Sequence, residues 1–175
     1  MSYDLSLYIH WPYCMSKCPY CDFNSHISEK PIDEVRWRRA LLAELDHFAK
    51  KFANDRPLTS IFFGGGTPST MAPETTAALI EAARLHWPSH KSLEVSLEAN
   101  PTSVESSKLR DFAAAGVNRL SLGVQSFSDK SLKFLGREHS VKEAIAAIEM
   151  AHTNFDRYSF DLIYGLPEQS IAMWK

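Results

Sequence analysis

The sequence predicts an α/β fold in which parallel strands alternate with helices, and three observations carry that prediction. Five short apolar runs (5–10, 58–63, 93–99, 119–124 and 158–164) are separated by stretches whose apolar residues recur at helical spacing. Each run gives way to glycine, proline or polar residues, the punctuation expected where a buried strand ends. Strands and helices that alternate in this way connect by right-handed crossovers, with the helices covering the sheet. In such folds the chemistry gathers at the C-terminal ends of the strands.

The first run, 5–10, ends at Pro12 and a loop that holds all three cysteines, Cys14, Cys18 and Cys21. Residues 31–54 place Val35, Ala40, Leu42, Leu45, Phe48 and Phe52 at helical spacing, and residues 54–57 break the pattern. Pro31 suits a first helical turn, where its missing N–H is not needed. Arg36-Trp37-Arg38-Arg39 reads as the solvated face of this helix. The second run, 58–63, leads into Gly64-Gly65-Gly66-Thr67-Pro68-Ser69, and a helix over 73–87 runs to Pro88. The third, 93–99, has Val95 and Leu97 on one face and stops at Asn100-Pro101. A helix over 103–115 ends at Gly116, the usual residue past a helix C-terminus. After the fourth run, 119–124, come helical stretches over 129–135 and 141–152. The fifth, 158–164, meets Gly165-Leu166-Pro167, and a further helix begins at Ile171.

Composition narrows the class. The chain has 175 residues, 45% apolar and 23% charged, which is ordinary for one globular domain. A net charge of -2 gives no electrostatic basis for binding nucleic acid or for more than peripheral contact with an anionic membrane. No apolar run approaches the roughly 18 residues of a membrane span, and no cationic leader precedes the first strand, so a cytoplasmic location is expected. That compartment keeps thiols reduced, which favours ligands or catalysts over disulfides.

Cysteines at C-x3-C-x2-C offer three thiolates to a cluster of four irons and leave the fourth iron open to an exchangeable ligand. The alternative is zinc with His10 or His26 as fourth ligand, although structural zinc sites usually draw on a second distant pair of cysteines. Tyr20, inside the loop, either packs there or lies over a ligand. The triple glycine after the second strand lets backbone approach a ligand closely or makes a tight turn; it matches neither the Walker nor the dinucleotide pattern. Glu98, where the third strand emerges, either binds an ammonium or ribose hydroxyl or caps the next helix. Gln125, Arg137 and Asp161 draw interest only from their positions near strand ends.

Together these residues resemble a known family. Tyr8-Ile9-His10-Trp11-Pro12-Tyr13-Cys14, the cysteine loop, Gly64 to Ser69, Glu98-Ala99-Asn100-Pro101, Arg119 to Ser126 and Asp161 to Pro167 resemble, in order, the radical S-adenosylmethionine (SAM) enzymes of the oxygen-independent coproporphyrinogen III oxidase group. The oxidase looks to carry a further cysteine where this chain has Phe23, and the Cys21-Asp22-Phe23 form resembles the haem-chaperone branch instead. The resemblance implies a partial (β/α)6 barrel of which residues 1–175 supply about five units, a core domain incomplete at its C-terminal end. It implies that Cys14, Cys18 and Cys21 bind a [4Fe–4S] cluster. Tyr8, Tyr20, Gly65, Gly66, Thr67, Glu98, Gln125, Arg137 and Asp161 are then the SAM contacts. It also implies a haem or porphyrin ligand in the full-length protein, a reductant such as flavodoxin or ferredoxin, and a haem acceptor protein.

Overall fold

A computed structural model describes residues 4–52 and 55–174. β1 (Leu5–Trp11) leads into the cysteine loop, where two short strands, β2 (Tyr13–Cys14) and β3 (His26–Ile27), pair in parallel. α1 (Glu34–Ala49) and β4 (Leu58–Gly65) follow, then one 3-10 turn at Pro68–Thr70 and α2 (Pro73–His86). β5 (Ser89–Ala99), α3 (Ser103–Ser106), α4 (Leu109–Ala114) and β6 (Arg119–Gln125) come next. α5 (Asp129–Phe134), α6 (Val141–Asn154), β7 (Arg157–Leu162) and α7 (Ile171–Trp174) bring the described chain to its end.

The five longer strands form one sheet in the order β1-β4-β5-β6-β7, and every neighbouring pair is parallel. An order that never reverses belongs to a sheet wound in one direction, as in a barrel; a doubly wound sheet reverses beside its first strand. The predicted α/β fold with five parallel strands is the one observed.

The two faces of this sheet differ. Trp11, Ile61, Phe63, Val95, Leu97, Leu120, Leu122 and Val124 are fully buried on the helix side, each contributing roughly 1.5–3 kcal/mol of transfer free energy. They meet Leu79, Ile80 and Ala83 of α2, Phe112 of α4, and Ala144, Ala147 and Ala151 of α6 in one core. The alanine stripe lets α6 lie close to the strands. The intervening positions are polar or aromatic: Tyr8 pairs with Phe62, Phe62 with Ser96, and Ser96 with Arg119. All-parallel sheets are ordinarily apolar on both faces, so a polar face is the side to search for a site.

Five expectations need correction. The first helix starts at Glu34, capped by the Asp33 carboxylate on Arg36 N–H, so Pro31 precedes it; it stops at Ala49, short of the expected end at residue 54, which lies outside the described residues. Its buried side is Trp37, Leu41, Leu42 and Leu45, whereas Val35, Phe48 and Phe52 are exposed. Trp37 therefore belongs to the core side, and Arg38 donates to Thr75 of α2, so the basic run is only partly a solvated face. The helix expected over 103–115 is two helices, because Lys108 N–H turns to Glu105 O three residues back and tightens the chain. β5 begins at Ser89, four residues early, since backbone pairing with β4 extends through an exposed polar stretch that carries no apolar signal. β7 spans Arg157–Leu162, and residues 163–164 continue it only by an Ile163 N–H bond to Gln125 O.

Candidate functional site

The cysteine loop is clamped at its root by aromatic packing. Trp11, Tyr13 and Trp37 meet edge to face at centroid distances of 5.4 to 5.9 Å, and Trp11 Nε1 donates to Thr70 Oγ1 at 2.8 Å. The glycines explain how β4 approaches this root. Gly66 N–H donates to Trp11 O at 2.6 Å and Thr67 N–H to Tyr13 O at 2.8 Å. A Cβ on Gly66 would lie 2.7 Å from Tyr13 O, and one on Gly65, where φ is +116°, 2.6 Å from the His10 ring. Both the turn and the close approach thus require glycine. Further round, Gly136 packs against Pro19 and its carbonyl accepts from Cys18 Sγ at 3.8 Å, which brings residue 137 to the loop.

Cys14, Cys18 and Cys21 are free and half-buried, and they line a cavity of about 370 Å³. Tyr20, Gly66, Thr67, Glu98, Gln125, Arg137 and Asp161 line it too. Ten of the twelve expected site residues are therefore brought together. Tyr8 and Gly65 stand behind Glu98, Gly65 donating its N–H to Glu98 Oε2 at 3.2 Å. Tyr8 stacks on Phe62, and its hydroxyl donates to His10 Nδ1 at 3.0 Å, a tautomer fixed because Nε2–H is spent on Asn24 O at 2.9 Å. Gln125 owes its place to backbone: φ is +68° and the register slips between Leu122 and Gln125, a bulge of the kind that re-aims a side chain at a strand end.

The cavity is electrically divided. Burial raises the Glu98 carboxyl above its ordinary range and the charge of Asp161 adds to the rise, while Gly65 N–H and His10 oppose it. Burial also raises the Tyr8 phenol, with a further push from Glu98. The Tyr20 phenol is pushed up to about 12, chiefly by burial; the Arg137 guanidinium pulls against this and Cys18 adds to it. Arg137, which lines the same cavity, donates to Gly123 O at 2.8 Å, to Asn100 Oδ1 and to Cys18 Sγ.

The donor set can be tested against the cofactors that the resemblance implies. Among the described residues no three His, Cys, Asp or Glu side chains are gathered closely enough to hold a single metal ion. All three thiols line the one cavity, as the ligands of a single four-iron cluster would. Arg137 Nε is buried with no hydrogen-bond partner among the described residues, a donor left for an anionic ligand group. The residues fit the cluster and SAM on both counts.

Sequence reasoning missed Glu105 and the part played by Asn100. Glu105 is 2% exposed; its carboxylate accepts from Ser69 Oγ and from Asn100 N–H at 2.9 Å, and burial raises it above the usual carboxylate range. Thr102-x-x-Glu105 reads as a helix cap, and Thr102 does cap Glu105 N–H, which masks the inward turn of the acid. His139 is buried and donates from Nε2 to Val124 O at 3.0 Å.

The family model of the radical SAM superfamily matches residues 8–175. The chain is 43% identical over 168 residues to haem chaperone HemW of Escherichia coli, covering 95% of this chain and 44% of that protein. It is 46% identical over 172 residues to radical S-adenosyl methionine domain-containing protein 1, mitochondrial, of Bos taurus, covering 97% and 38%. Coproporphyrinogen III oxidase (HemN) of Escherichia coli superposes with a TM-score of 0.85 at 31% identity, over 98% of this chain and 39% of that one. The chain thus spans about two fifths of the length of these relatives. Among the described residues no helix is long and apolar enough to cross a membrane.

Proposed function

Because the chain belongs to the radical SAM superfamily, we propose that Cys14, Cys18 and Cys21 hold a [4Fe–4S] cluster and that the adjoining cavity binds SAM. The observation that carries this reading is the convergence of three free thiols with Glu98, Asp161 and Arg137 on one cavity. When bound, the cluster and SAM supply one-electron cleavage of the sulfonium, giving a radical that abstracts hydrogen. The chain's own residues bind and shield. Glu98 and Asp161 would attract the cationic ammonium and sulfonium, and Arg137 Nε–H would hold the carboxylate. Gly65 steadies Glu98 through its N–H, Gly66 lines the cavity, Thr67 offers a hydroxyl, and Gln125 presents its amide from the bulge. Tyr20 stays a neutral phenol that keeps water from the thiols, and Tyr8 buttresses Glu98 from behind.

The whole protein acts as a haem chaperone of the HemW kind. It passes haem to an acceptor protein and cleaves SAM with electrons from flavodoxin or ferredoxin, in a thiol-reducing compartment such as the cytoplasm. The identity to HemW supports this, as does Phe23, exposed at the cavity edge where the oxidase resemblance calls for another cysteine. The likeness to coproporphyrinogen III oxidase favours a second reading, oxidative decarboxylation of a porphyrinogen. Anaerobically reconstituted full-length protein, given SAM and dithionite, separates the two. Release of 5′-deoxyadenosine with haem bound and coproporphyrinogen untouched supports the chaperone; decarboxylation of coproporphyrinogen overturns it.

A further inference from the structure

A chain of hydrogen bonds runs from a buried acid to a cysteine of the loop. Glu105 holds Asn100 by its backbone N–H at 2.9 Å, and Asn100 Nδ2 donates to Thr67 Oγ1 at 3.2 Å, so the asparagine is fixed from two sides. Its Oδ1 accepts from Arg137 Nη2, which also donates to Gly123 O at 2.8 Å. With one nitrogen so anchored, the planar guanidinium presents Nη1 to Cys18 Sγ at 3.4 Å. An arginine free of such anchors would spread over many rotamers. Among the described residues, hydrogen bonds reach the Cys18 thiol and neither of the other two.

A donor on a cluster-ligating sulfur draws electron density from it. That stabilises the reduced, more negative state and raises the reduction potential, and the positive charge of arginine acts in the same direction. We infer that Asn100, anchored by Glu105, is a positioning residue that holds the Arg137 guanidinium against Cys18 Sγ and thereby sets the reduction potential of the cluster. The inference rests on the reading of Cys18 as a cluster ligand. It assigns Arg137 a task toward the sulfur that is separate from any contact with SAM, because Nη1 and Nη2 are engaged while Nε is left over.

The test uses protein reconstituted anaerobically with iron and sulfide, without SAM. Iron content and visible absorbance of the wild type come first: a chain that takes up no iron fails the cluster reading itself. Given a cluster, the midpoint potential is titrated by electron paramagnetic resonance for wild type, Asn100→Ala, Arg137→Ala and the double variant. The expected result is a more negative potential for Asn100→Ala at unchanged iron content, with the double variant no more negative than Arg137→Ala. A wild-type potential in Asn100→Ala, or shifts that add in the double variant, would overturn the inference. Should Asn100→Ala not retain iron, Arg137→Lys reads the same link, keeping the charge and losing the fork. A more negative potential there supports the inference, and an unchanged one refutes it.

Discussion

Replacing Gly66 with alanine should loosen the cysteine loop by a predictable amount. The new Cβ would lie 2.7 Å from Tyr13 O, 2.9 Å from Tyr13 C and 3.0 Å from Pro12 C, all backbone atoms that cannot rotate away. Ordinary contact begins at 3.4 Å, so the root of the loop must retreat by roughly 0.7 Å. Two hydrogen bonds cross that seam, Gly66 N–H to Trp11 O and Thr67 N–H to Tyr13 O. Weakening both costs about 1 kcal/mol each, and overpacking adds about 1–3 kcal/mol. We expect Gly66→Ala to lose about 3–5 kcal/mol, which lowers Tm by roughly 6–20 °C for a chain of this size. Because Tyr13 immediately precedes Cys14, iron retained after anaerobic reconstitution should fall as well. Gly165→Ala is the control: its φ of +75° makes alanine strained, but nothing lies within 4 Å, so it should cost about 1 kcal/mol and leave iron loading intact. A Gly66→Ala variant that melts within a degree of wild type and loads iron fully would refute the seam as the support of the loop.

Ser140→Ala removes one half of the capping box on α6 and should cost about 1 kcal/mol by denaturant titration. The Glu143 carboxyl of that box is held below its ordinary range by Ser140 N–H and Oγ, so its contribution is present above the unfolded pKa near 4.5 and lost as pH falls through the folded value. Tm measured from pH 6 to pH 3 should consequently fall less in Glu143→Gln than in wild type, and parallel curves would contradict this. Glu105 behaves oppositely. Burial raises its pKa, so the folded chain holds a proton the unfolded chain has released, and stability drops as pH rises above 4.5. Glu105→Gln should flatten that drop, and an unaltered pH profile of Tm would count against the buried acid. Trp11→Phe removes the bond to Thr70 Oγ1 and part of a fully buried ring, for an expected loss of about 2–3 kcal/mol, read as a lower denaturant midpoint at unchanged m-value.

The five strands and the polar residues at their ends were legible because both follow from local pattern. Apolar runs bounded by glycine and proline mark the strands, and the end of each strand carries the residues that line the cavity. The active face of α1 was not legible, since Val35, Phe48 and Phe52 carry the same apolar signal as Trp37 and Leu45 and only packing on β1 and α2 distinguishes them. Nor was the early start of β5, which depends on backbone pairing with Leu58 and not on side chains. Glu105 was hidden behind a capping pattern, and Asn100 behind the proline that follows it. Their roles come from side chains meeting 36 or 37 residues apart in sequence, Ser69 with Glu105 and Asn100 with Arg137, a distance at which no periodicity speaks. The glycines at 65 and 66 were read for a ligand or a turn; their tightest neighbours are His10, Trp11 and Tyr13.

The central claim is that three thiolates hold a four-iron cluster whose remaining iron engages SAM. Its most direct test is metal and sulfide analysis of the anaerobically reconstituted protein, joined to an electron paramagnetic resonance spectrum of the reduced protein with and without SAM. The account predicts about four irons and about four sulfides per chain, and a reduced-cluster signal that shifts when SAM is added. Stoichiometric zinc without iron, or a four-iron signal indifferent to SAM, would contradict it.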